Sequence, residues 1–133
     1  MTPEEMKKRT KLFALRVVRL ASAFPRSRAG DVIGRQLIKS GTSVAANYRA
    51  SCMARSRAEF IAKLGVVQEE ADEAVFWIDF AVDAELAKRT LVEDLIQEGK
   101  EILSIIVASK KTARAHDTKA REKARTAPPS IEN

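Results

Sequence analysis

Glu69-Glu70-Ala71-Asp72-Glu73 places four carboxylates within little more than one helical turn, and such a run raises the question of a metal site. Di-iron bundles answer it with Glu-x-x-His pairs projecting from facing helices, and the chain's only histidine, His116, stands far along in a basic stretch. Without imidazole, Glu69 and Glu73 are an i, i+4 pair of like charge that water or basic neighbours must accommodate. No metal and no cofactor is expected. Helical nucleases that use an arginine five residues before a histidine would need one at position 111, which is Lys111. Gly-rich phosphate loops, Cys–His pairs and Ser–His–Asp sets are equally absent, so no catalytic residue is expected and the chain does not read as an enzyme. The lone Cys52 cannot form an internal disulfide and reads as a small buried hydrophobe.

Charge is the next resource. The net balance is +6, and its order along the chain is uneven. Residues 1–28 carry eight cations, among them Lys7, Lys8, Arg9, Lys11, Arg16 and Arg19, against Glu4 and Glu5. Residues 56–103 reverse the sign, with twelve acids against five bases, and from 104 onward seven bases face three acids. Such a basic–acidic–basic order allows two readings. In one, helix-one cations and Lys110, Lys111 and Arg114, followed by Lys119, Arg121, Lys123 and Arg125, attract the phosphates of RNA or DNA without reading sequence. In the other, the basic segments meet the acidic helix of a neighbouring subunit or partner protein, and the chain is an interaction scaffold that binds no nucleic acid.

The elements that carry these residues are helices. Gly and Pro are scarce, five and four in 133 residues, too few for a sheet-and-turn protein. Thr2-Pro3-Glu4-Glu5, Ser56-Arg57-Ala58-Glu59 and Thr90-Leu91-Val92-Glu93 each match the capping box. Helix one is expected from about Pro3 to Ala23 with a stripe of Phe13, Val17, Leu20 and Phe24. Helix two starts at Ser27 or Asp31 and reaches Ala54, with Ile33, Leu37, Ser40, Val44, Asn47 or Tyr48, and Ser51 inward. Helix three, Arg57 to Glu85, has the stripe Phe60, Leu64, Val67, Ala71, Ala74, Ile78 and Val82. Helix four runs from Leu91 to about Arg114. Rods of about 36 Å joined by short links imply an all-α, antiparallel up-down four-helix bundle over residues 1–115. Residues 116–133 form a charged tail, partly helical or disordered, with disorder expected by Pro128. No run of about 18 apolar residues suggests a membrane span, the start has no hydrophobic leader, and a cytoplasmic location is expected.

Helices three and four are apolar on two sides. At 100° per residue, Val66, Phe76, Trp77 and Phe80 fall roughly opposite the core stripe of helix three. Leu91, Leu95, Ile96, Ile102, Leu103, Ile105, Ile106 and Val107 cover about 200° of helix four, twice an ordinary core arc. Leu12 and Leu15 add apolar surface to helix one. One bundle buries one face per helix, so the second face must be covered by the tail, by a loop or by another copy; a homo-oligomer with Val66, Phe76, Trp77 and Phe80 at its interface is the expectation.

Phe24-Pro25 closing helix one, Gln36-Leu37, Ser40, the stretch Ser43-Val44-Ala45-Ala46-Asn47, Arg55-Ser56, Glu59-Phe60, Leu64 and Glu73 recur in an order that resembles the four-helix-bundle family of 23S rRNA intervening-sequence proteins. Related members are the accessory variability determinant proteins of diversity-generating retroelements. The likeness runs from about Phe13 to Ser109. Ala45 departs from the family's proline, and Tyr48-Arg49-Ala50-Ser51 stands where Ile-Ala-Glu-Gly is usual, which implies a straighter second helix. The resemblance implies an antiparallel bundle assembled into a homopentameric ring, and nucleic-acid and reverse-transcriptase binding through a basic surface in the retroelement relatives. Asn47 and Glu73 are expected as a buried hydrogen-bonded pair that fixes helix register or subunit geometry.

Overall fold

The computed structural model describes residues 1–126, and all the regular structure among them is helical: α1 (Pro3–Ser22), α2 (Arg28–Ser51), α3 (Arg57–Asp83) and α4 (Arg89–Thr126). Each of α1–α3 starts on a hydroxyl cap. Thr2 Oγ1 accepts from the Glu5 amide at 3.1 Å while Glu5 accepts from the Thr2 amide at 3.0 Å, completing the box, with Pro3 at the first helical position, where no N–H is needed. Ser27 accepts from Gly30 N at 2.9 Å and thereby fixes the start of α2. Ser56 caps α3 through Glu59 N at 3.0 Å, but the Glu59 carboxylate reaches one residue further back, to Arg55 N at 3.3 Å.

The third expected box does not form. Helix α4 begins at Arg89 and the Leu91 amide donates to Lys88 O at 3.0 Å, so Thr90 lies inside the first turn. The cause lies upstream. Leu86 N donates to Ala81 O and Glu85 N to Val82 O, with Glu85 at φ 62°. This is a Schellman ending on a non-glycine residue, and it turns the chain so tightly that α4 restarts at once.

Consecutive helices pack antiparallel; α1 and α4 close the bundle through a much thinner seam. The core holds Phe13 and Val17 of α1, Leu37 and Val44 of α2, Leu64, Val67, Ala71, Ala74 and Ile78 of α3, and Val92, Ile102 and Ile106 of α4. On α2 the inward residue of the expected pair is Tyr48, not Asn47, and on α3 the stripe ends on Ala81, with Phe60 and Val82 only half-buried. Two glycines set helix spacing. A Cβ on Gly41 would stand 2.6 Å from Val17 Cγ1, and one on Gly99 would stand 2.7 Å from Val75 Cγ2 and 3.3 Å from the Phe13 ring, so both are sites of close approach.

Helix α4 passes the expected end at Arg114 without a break. Its 38 residues make a rod of about 57 Å, and from Thr118 to Thr126 every side chain is exposed. Alanine and long charged side chains are good helix formers, and no proline intervenes before Pro128, which lies outside the described residues together with the disorder expected there.

Candidate functional site

Two surfaces qualify, and they differ in chemistry. The first is the outer side of α3. Phe76, Trp77 and Phe80 form one aromatic cluster, with ring centroids 5.0 Å apart for Phe76–Trp77 and 5.8 Å for the other two pairs, two of them edge-on, the arrangement that aromatic quadrupoles favour. Phe76 is 53% exposed, Phe80 42% and Val66 39%. Trp77 departs from the expectation of an exposed interface residue: it is half-buried against its own core. Among the described residues its indole Nε1 has no acceptor and the buried Glu70 Oε2 and Gln68 Oε1 have no donors, and such orphaned groups are uncommon in protein interiors. Burial, with repulsion from Glu73, holds the Glu70 carboxyl above the ordinary range despite the opposing pull of Lys39. Around the aromatic cluster, Glu69, Asp72 and Glu73 are exposed and, among the described residues, form no ion pair. Asp79 and Asp83 share Arg89, at 3.0 and 3.9 Å.

The second surface is basic, and the structure divides the sequence-derived set. Arg9 leaves it. Its Nε donates to Glu98 Oε2 at 2.9 Å and its Nη2 to Glu101 Oε2 at 2.6 Å, a forked, partly buried contact that closes the α1–α4 seam and raises the guanidinium pKa further, chiefly through the Glu98 hydrogen bond. Lys7 is bonded to Glu4 at 2.9 Å, an exposed i, i+3 pair of small energetic weight. Lys7 and Lys11 also line a shallow groove between α1 and α2 of about 420 Å³, floored by Ala14, Thr42, Ala45 and Ala46 and shared with Arg49. Sequence reading missed Arg49 because it stands alone among neutral residues; only α1–α2 packing sets it beside the two lysines. Lys8, Arg16 and Arg19 point elsewhere on α1. Lys110, Lys111 and Arg114 begin the projecting end of α4, where the one ion pair among the described residues joins Arg121 to Asp117 at 3.3 Å.

Asn47 and Glu73 are not a pair. Asn47 Nδ2 donates within its own helix to Ser43 O at 2.9 Å, and Glu73 is exposed. In a hairpin that turns between Ser51 and Arg57, Asn47 is level with the first turns of α3, well short of Glu73. His116 is exposed at the rim of an end groove of 610 Å³ lined also by Arg57, Phe60 and Ile105, with no carboxylate among the lining residues to activate it. No three His, Cys, Asp or Glu side chains converge on a possible metal position among the described residues, and no helix there is long and apolar enough to cross a membrane. Cys52 is half-buried and unpaired by disulfide.

An all-α four-helix bundle with an uncovered aromatic face and a basic projection is the class this geometry defines. Comparison with known proteins narrows it: residues 4–108 match the 23S rRNA-intervening sequence protein family, and the chain belongs to that family. It is similar to a crystal structure of a protein of unknown function from the S23 ribosomal protein family of Bacteroides thetaiotaomicron, with 31% identity and a TM-score of 0.77 over 84% of this chain and 99% of that one. No curated protein matches.

Proposed function

We propose that this chain is a non-enzymatic, self-assembling binding module of the cytoplasm that holds nucleic acid by its phosphates, without reading base sequence. The observation that carries the nucleic-acid reading is the projecting end of α4. Residues 110–126 hold seven Lys or Arg against Asp117 and Glu122, on a helix whose last nine described residues are exposed on every side. A helix polar all round gains nothing from the bundle, but a rod of cations clear of it suits a polyanion. The groove of Lys7, Lys11 and Arg49 adds a second place for phosphate. Bare aromatic surface on α3 supports assembly, because apolar area of that kind is stabilised by cover at about 25 cal/mol per Å²; the family likeness favours a pentameric ring. The second reading, a protein-interaction scaffold without nucleic acid, is favoured by the acidic α3–α4 half, which suits a basic partner surface.

Fluorescence anisotropy with labelled mixed-sequence RNA and DNA distinguishes the two. At 50 mM salt the expected Kd lies at about 10⁻⁴–10⁻⁶ M or tighter, indifferent to sequence, and weakens steeply by 200 mM. Absence of binding to either polymer at 50 mM salt refutes the nucleic-acid reading and leaves the scaffold.

A further inference from the structure

The outer faces of α1 and α3 are both uncovered, and they complement each other. On α1, Leu12 (52% exposed) and Leu15 (44%) form an apolar pair flanked by Lys8, Arg16 and Arg19, which make no ion pair among the described residues. On α3, Phe76 and Phe80 form the apolar pair, with Glu69 and Glu73, unpaired among the described residues, below and Asp83, held only loosely by Arg89, above. Residues 1–55 as a whole carry twelve bases against three acids, whereas 56–103 carry five against twelve, so the bundle is positive on its α1–α2 half and negative on its α3–α4 half.

The two faces also agree in height. Gly99 lies against both Phe13 and Val75, which marks those two positions as level in α1 and α3, helices that run in the same direction. Counting from that level at equal rise per residue, Lys8 comes level with Glu69–Glu73, Leu12 and Leu15 with the stretch around Phe76, and Arg19 with Phe80–Asp83, each to within about one turn. A rotation about an axis parallel to the bundle therefore brings α1 of one copy onto α3 of the next with no sliding along the axis. Apolar pair meets aromatic pair, and cations that have no partner among the described residues meet carboxylates.

We infer that the occupant of the α3 aromatic face is the outer face of α1 from a second copy, joined head to tail. This rests on the self-assembly proposed above and adds which surfaces mate and with what polarity. Because the two faces differ, every copy offers one of each, and association continues until the ring closes. Lys8, Arg16 and Arg19 then belong to the subunit contact, which leaves the Lys7–Lys11–Arg49 groove and the α4 projection for phosphate.

Two variants test it, both confined to exposed positions and checked for helicity by circular dichroism. Leu12→Glu with Leu15→Glu removes the α1 face; Phe76→Ser with Phe80→Ser removes the α3 face. Light scattering should show each variant alone as a monomer and an equimolar mixture as a one-to-one dimer of twice the chain mass, since one intact face survives on each. A Leu12→Glu/Leu15→Glu variant that assembles like the wild type overturns the inference, as α3 would then pair with something other than α1. A Phe76→Ser/Phe80→Ser variant that assembles, or a mixture that stays monomeric, overturns it equally. A monomeric wild type instead defeats the underlying self-assembly reading, an outcome that these variants cannot imitate.

Discussion

Phe13→Ala is expected to cost about 3–5 kcal/mol of folding stability, the largest loss of any single truncation in this chain. Phe13 is fully buried, and its ring is what Gly99 leaves room for, so it fills the space between α1 and α4 at that level. The α1–α4 seam is the thinnest in the bundle. Neighbours there have little scope to collapse into a void, and the cost of a cavity depends on that scope. Domains of this size have only about 5–15 kcal/mol in hand. Urea denaturation of the variant should show a much lower midpoint with an unchanged slope. A loss under about 1 kcal/mol would mean that the seam is already loose and that Arg9, not packing, keeps α4 in place.

Truncation after Thr118 is expected to separate binding from folding. It removes Lys119, Arg121, Lys123 and Arg125, all exposed, so thermal unfolding should move by little, as surface changes of this kind do. Affinity for RNA or DNA at 100 mM salt should fall about tenfold or more, and the slope of log K against log salt should flatten by up to ~0.9 for each phosphate that the shortened helix no longer neutralises. An unaltered slope would assign phosphate binding to the α1–α2 groove and to Lys110, Lys111 and Arg114, which the truncation leaves in place.

Much of this architecture was legible in the sequence because it is locally encoded. Thr2 with Glu5, and Ser56 with Glu59, mark helix starts through hydrogen bonds three residues apart, and the α3 stripe from Leu64 to Ile78 repeats at helical spacing. Long-range pairings were beyond such a reading. Arg9 and Glu98 are separated by 89 residues, and nothing in either neighbourhood says that this cation, among the several on α1, closes a seam. Thr90-x-x-Glu93 fits a capping box in isolation and fails because Glu85, in a conformation that favours glycine, has already set the turn. The end of α4 was legible only as a partly helical tail, for a different reason: its apolar pattern stops where the bundle stops, while its helix propensity does not. The second apolar side of α3 was legible as a stripe, but Trp77 is partly absorbed by its own core, which leaves Phe76 and Phe80 as the surface that requires cover.

Sedimentation of the intact wild-type chain at micromolar concentration tests the uncovered face most directly. A discrete species at a whole-number multiple of 14.7 kDa, above the dimer and persisting on dilution, is the expected result. A single species at 14.7 kDa across that range would show that Phe76 and Phe80 stand in water as they are, and would contradict it.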